Sequence, residues 1–227
     1  MRPEQCDYAC YDYLQFGGPV VDSPALRSLV DEIRPPEGTP LGDLAGNLLR
    51  VINERFVYRK GITNAASPIT EMLEHGSGVC QDFTHLMIGL SRALKVPARY
   101  VSGLLHPDAA DRLQGFSQTH AWCELLFPSV GWIGFDPANN CAIGQNFVKV
   151  GIGRDYRDVP PNRGVYRGKA KETIDVQVHS EELKTVPPEL AAERYQSLDI
   201  PAYPAGSVGE MVNQQQEVQQ QEQQQQQ

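Results

Sequence analysis

No run of apolar residues in this 227-residue chain approaches the roughly 20 needed to cross a bilayer as a helix. The first twenty residues carry Asp7 and Asp12 in place of a basic start and an apolar stretch, so no secretory leader is read there and the chain is expected to be cytoplasmic, with no membrane partner. Positive charge is scarce: 20 Lys and Arg against 28 Asp and Glu give a net charge of −8 and no dense basic stripe. A phosphate-binding surface is therefore not expected, and nucleic acid is excluded as a partner. The five cysteines, Cys6, Cys10, Cys80, Cys123 and Cys141, are odd in number and lack repeating spacing, which argues against a disulfide framework. Neither CxxC nor HExxH occurs, and His120 and Cys123 would face opposite sides of a strand, so a zinc site is the weaker chemistry. Gly76, Gly78 and Gly103 fit no nucleotide-binding loop, and no cofactor is expected. No internal repeat of 20 to 50 residues is visible, which removes solenoids and propellers.

What is present is an ordinary globular balance, 41% hydrophobic and 21% charged, long enough for one substantial core. Residues 1–38 read as an N-terminal arm wrapped over that core, with one short helix from Pro24 to Ile33. Thr39 as cap and Pro40 in the first helical position open a second helix to about Arg55, with Leu41, Leu44, Leu48 and Ile52 near one face. Phe56, Val57 and Tyr58 suit a short extended piece, and Ser67 with Pro68 opens a helix that stops at Gly76. From Cys80, the apolar residues Phe83, Leu86, Met87, Leu90 and Leu94 recur at helical spacing until Pro97 excludes continuation. This is the predicted central helix. Strands succeed it at Ala98–Leu105, Thr119–Phe127 and Trp132–Phe135, with a tight turn at residues 128–131 and further extended candidates at 146–151 and 173–179. The order predicts an α+β fold, an antiparallel sheet packed on the central helix, over a catalytic core of residues 39–182. Residues 183–227 are expected to be extended, with one helical candidate at Glu189–Ser197 and a disordered glutamine-rich tail from about residue 206; 11 of the last 14 residues are glutamine.

Cys80 stands where small residues, Gly-Ser-Gly-Val, give way to the helical pattern. A helix start offers free N–H groups and partial positive charge, which favour a thiolate and can hold a negative oxygen. A nucleophilic cysteine also needs a base and a group to orient that base. His85, five residues on, lies roughly 140° around the helix and points elsewhere. His120 opens a strand that carries Trp122, Glu124 and Leu126 on the same face, and Asp136 ends the next strand, where antiparallel pairing returns it beside His120. Asp82 suits the helix N-terminus as a cap, although a carboxylate close to the thiol would oppose the thiolate. Taken singly, each residue has an ordinary structural reading: a buried thiol, a satisfied sheet histidine, a turn aspartate. Cys123 faces away from His120 and reads as core.

The runs Gly78-Val79-Cys80-Gln81-Asp82-Phe83, Pro97 to Gly103, His120-Ala121-Trp122-Cys123-Glu124 and Gly131-Trp132-Ile133-Gly134-Phe135-Asp136-Pro137 resemble successive core motifs of the transglutaminase-like superfamily, in its bacterial cysteine protease or hydrolase branch. Residues 150–156 and 159–164 resemble the segments that come after these core motifs in bacterial members. The resemblance implies a papain-like core, a Cys80-His120-Asp136 triad and a thioester formed on Cys80. It places the backbone N–H of Cys80 at the oxyanion, with Asp82, His85 and Trp122 supporting the reacting groups. Animal members use a tryptophan upstream of the cysteine, whereas Trp122 and Trp132 both come after it, so no second oxyanion donor is identified. Many bacterial members carry a β-rich domain before this core, where this chain has a short arm. The expected activity is cleavage or acyl transfer on peptide or glutamine-type amides of a peptide or protein substrate, with hydrolysis ahead of crosslinking. A noncatalytic peptide-binding module on the same fold is the alternative, and the glutamine tail as acyl donor for self-modification is a third.

Overall fold

The computed structural model describes residues 8–64, 67–106, 119–128, 130–160 and 164. The expected strand at 173–179, the helix at Glu189–Ser197 and the glutamine-rich tail lie outside the described residues. The described residues open with a short helix α1 (Tyr8–Tyr11). Next comes α2 (Pro24–Ile33), where Pro24 takes the first position and the Ser23 hydroxyl accepts the Leu26 N–H at 3.2 Å. Helix α3 (Leu41–Arg55) begins one residue later than the sequence predicts. Pro40 stands at the N-cap, and the Thr39 hydroxyl donates to the carbonyl of Pro36 and caps nothing.

A two-residue strand β1 (Val57–Tyr58) then leads through α4 (Ile69–His75) to β2 (Ser77–Gly78), and the two strands pair in parallel with Tyr58 opposite Gly78. Gly76 makes the sharp exit from α4 possible, because its φ of +64° is a left-handed conformation that a Cβ would strain. The central helix α5 (Cys80–Ala93) starts two residues after β2 ends. Its Val79 N-cap has no polar side chain, and the Asp82 carboxylate reaches back to accept the Val79 N–H at 2.8 Å.

The sheet comprises β3 (Ala98–Leu105), β4 (Thr119–Phe127), β5 (Gly131–Asp136), β6 (Cys141–Ala142) and β7 (Phe147–Gly153). All neighbours are antiparallel, in the order β6-β5-β4-β3-β7. Alternation sends Ala121, Cys123, Leu125 and Phe127 into the core beneath α5, with Leu86, Met87, Ile88 and Leu90 of the helix fully buried against it. Each such Leu, Ile, Met or Phe side chain contributes about 1.5–3 kcal/mol on leaving water, which fixes the helix on the sheet. Val20, Leu26 and Val30 join the same core, so the first 38 residues contribute packing as well as cover.

The opposite face of the sheet carries His120, Trp122 and Glu124. Buried Glu124 binds Arg99 and Lys149, and Arg99 lies 4.2 Å from the Trp132 ring, which Tyr13 meets edge-on. The Trp122 indole lies across Gly103, where an added Cβ would come within 2.2 Å of the ring. Among the described residues, no helix is long and apolar enough to cross a membrane.

Candidate active site

The short β2 strand and the Asp82 cap deliver Cys80 to the first position of α5, where its side chain is partly exposed. Asp82 is buried, and Thr63 donates to the same carboxylate oxygen at 2.5 Å that takes the Val79 N–H. Burial raises its carboxyl above the ordinary value, against the pull of those two bonds. The carboxylate expected to cap the helix is thus turned back to the N-cap and Thr63.

His120 is the second residue of β4, opposite Gly103 of β3, and Asp136 comes from the end of β5. Cys123 pairs with Phe135, so His120 and Asp136 occupy neighbouring positions on one face of adjacent strands. The imidazole Nε2–H donates to Asp136 Oδ2 at 2.7 Å, and both side chains are fully buried. Asp136 is held in turn: its Oδ1 accepts the N–H groups of Ala138 at 3.0 Å and Asn139 at 3.2 Å, and the Asn139 amide donates to Oδ2 at 2.7 Å. The Asp-Pro-Ala-Asn turn therefore clamps the carboxylate from behind.

With Nε2 committed to Asp136, Nδ1 is the nitrogen left to face the nucleophile. It is buried and makes no well-formed hydrogen bond among the described residues. The Cys80 side chain is nonetheless close enough to act on the ring: burial alone would lower the imidazole, but the Asp136 bond, the Cys80 contact and the charges of both raise it to about 10. A long, poorly aligned S···N approach accounts for both facts, because such contacts tighten around bound substrate. The arrangement is an accessible thiol beside a buried, oriented base.

The other residues singled out from sequence take supporting places. His85 is fully buried in α5 and its Nε2 accepts the Tyr156 N–H at 3.1 Å, while its ring lies 5.0 Å from that of Tyr100. Burial pushes this imidazole down to about 3, so it stays neutral and serves as an acceptor. Trp122 and Phe147 lie 6.3 and 6.1 Å from His120, centroid to centroid, and meet each other edge-on at 5.4 Å. Cys123 is fully buried beneath α5, where desolvation holds its thiol well above the ordinary value. Among the described residues, no group of three His, Cys, Asp or Glu side chains gathers as metal ligands would.

Sequence reasoning missed Asn139 and Tyr58. Asn139 had a signal, since an Asp with an Asn three residues later, across a proline, suits a side-chain-stabilised turn. Tyr58 had none beyond its place in an extended piece. Its phenol reaches Cys80 because β1 runs beside the segment that leads into α5.

Residues 27–137 match the profile of the transglutaminase-like superfamily. An uncharacterized protein of Mycobacterium tuberculosis strain H37Rv is 37% identical over 169 residues, which cover 70% of this chain and 54% of that protein. The chain thus spans about half the length of its mycobacterial relatives. A protein-glutamine gamma-glutamyltransferase of Pseudomonas aeruginosa is 32% identical over 130 residues, 55% of this chain and 20% of that protein. A solved structure from Cytophaga hutchinsonii, provisionally assigned as a cysteine protease, aligns with a TM-score of 0.60 at 25% identity, covering 70% of this chain and 52% of its own. The arrangement of helix α5 on an antiparallel sheet is that papain-like α+β fold.

Proposed function

Because the chain belongs to the transglutaminase-like superfamily, we propose that it is a thiol-dependent acyl-transfer enzyme acting on peptide or glutamine-type amides through a thioester on Cys80. The observation that carries this reading is the buried His120–Asp136 pair, 2.7 Å apart, presented to a partly exposed cysteine at a helix start. With the Cys80 proton held on His120 Nδ1, the sulfur attacks the amide carbonyl carbon while the carbonyl electrons move onto oxygen. The backbone N–H of Cys80, free at the helix N-terminus, is one donor to that oxyanion. When the carbonyl re-forms, the C–N bond breaks, His120 gives its proton to the departing amine and the acyl group remains on sulfur. Water or a second amine then attacks the thioester and restores the thiol. Asp136 fixes the ring so that Nδ1 faces sulfur, and it stabilises the imidazolium during both steps.

Hydrolysis and amine transfer share this thioester. Support for hydrolysis comes from the likeness to the Cytophaga structure, and support for transfer from the Pseudomonas relative. Incubation with a glutamine peptide, with and without an alkylamine, and mass spectrometry of the products separate the outcomes. Cleavage or deamidation without amine incorporation is the expected result, and amine incorporation as the main product would reverse the order. Product formed equally by the wild type and Cys80→Ala would contradict the proposal.

A further inference from the structure

The tetrahedral intermediate places a full negative charge on oxygen, and one backbone N–H leaves half of the usual hole unbuilt. The missing group has to lie beside the Cys80 N–H and carry a proton it does not easily lose. The parallel ladder supplies one. Val57 N–H donates to Gly76 O at 2.9 Å and Arg59 N–H to Gly78 O at 2.8 Å, which locks Tyr58 opposite Gly78, two residues before the nucleophile. From there its ring runs toward the start of α5, 6.2 Å from Phe83 of the first helical turn, centroid to centroid. There the backbone and the side chain of Cys80 are both close enough to act on its phenol. Tyr58 and Cys80 both pack against the hydrophobic core while staying partly exposed, so a substrate can reach the gap between them.

We propose that the Tyr58 hydroxyl is the second oxyanion donor, acting with the backbone N–H of Cys80. The inference rests on the acyl-transfer reading and extends it to a residue outside the triad. An entering carbonyl oxygen takes the Cys80 N–H and receives the Tyr58 O–H from the other side. The proton stays on Tyr58 throughout, since only a hydrogen bond to the oxyanion is required. Burial, with charge at Cys80 adding to it, pushes the phenol up to about 12, so the donor holds its hydrogen over the working range of a thiol enzyme.

The test compares two reactions of the same sulfur in the full chain, wild type and Tyr58→Phe. Acylation by 4-nitrophenyl acetate, monitored as the nitrophenolate burst, passes through an oxyanion; alkylation of Cys80 by iodoacetamide does not. Tyr58→Phe is expected to slow acylation roughly 10²-fold while alkylation stays within about threefold, which also shows that the variant is folded with a reactive thiol. Acylation at the wild-type rate would overturn the inference and leave the triad standing. Faster acylation would also overturn it, making Tyr58 an obstruction that occupies the Cys80 N–H. A wild type that alkylates at Cys80 yet never acylates there would defeat both the inference and the acyl-transfer reading beneath it.

Discussion

At His120 burial and bonding pull in opposite directions, and bonding wins. Removal from water would keep the ring neutral, yet Asp136 and Cys80 together raise it to about 10. A raised value means that the protonated ring persists through neutral pH and is lost as pH rises through about 10. In the proposed mechanism the proton that His120 hands to the leaving amine is therefore available until then, and the alkaline limb of kcat/KM is expected there. Asp136→Asn removes the acceptor that is the largest favourable influence on the ring. That limb should move down toward the ordinary histidine range near 6.5, and kcat should fall roughly 10²- to 10⁴-fold, as a pH–rate series on both proteins would show. An unmoved limb would assign the ionisation to another group. The places of Cys80, His120 and Asp136 were legible in sequence because each stands near the end of a regular element whose period fixes its direction. Tyr58 was not, because its place near Cys80 depends on strand pairing across 20 positions of chain, which no local pattern encodes.

Elements with a clean period match the sequence reading most closely. Strands β3 and β4 start and stop where the 2-residue pattern places them, and helix α5 starts at Cys80 as expected and stops at Ala93, one residue short of Leu94. Two-residue strands have no period, so β2 and β6 are visible only through the partners that hold them. The start of α3 shifts by one residue, with Pro40 at the N-cap and the Thr39 hydroxyl turned toward Pro36 O. β2 and the first turn of α5 are packed too closely for a side chain between them: a Cβ on Gly78 would lie 2.7 Å from Asp82 Cβ and Oδ2. Gly78→Ala has to displace the carboxylate that bonds both Val79 and Thr63. A loss of about 1–3 kcal/mol in urea unfolding is expected, together with slower alkylation of Cys80, because the helix start carries the thiol. Unchanged stability would show that Asp82 is free to move.

Across the whole molecule, one buried cation joins parts of the chain far apart in sequence. Arg92 of α5 is 1% exposed, and its guanidinium donates to the carbonyls of Tyr13, Gln15, Ala98 and Arg154. It ties the N-terminal stretch, β3 and the segment after β7 to the helix that carries Cys80. Burial pushes the guanidinium down to about 10, with Asp155 opposing that fall. Arg92→Met keeps much of the volume but strands the four carbonyls, and a loss of at least about 3 kcal/mol in urea unfolding is expected. An equally stable variant would mean that water or backbone movement satisfies them. Nothing in the local pattern around Arg92 forecasts this role; a helical arginine ordinarily faces solvent, and only the assembled fold shows the carbonyls converging on it. In the proposed reading these features serve the placement of one sulfur atom beside one ring nitrogen. The most direct test is intact-mass analysis of the folded protein quenched after mixing with 4-nitrophenyl acetate, with the adduct located by peptide mapping. The account predicts one acetyl group on Cys80 in the wild type, lost with time in water, and none at that position in Cys80→Ala. A folded wild type that carries no acyl group on Cys80 would contradict it.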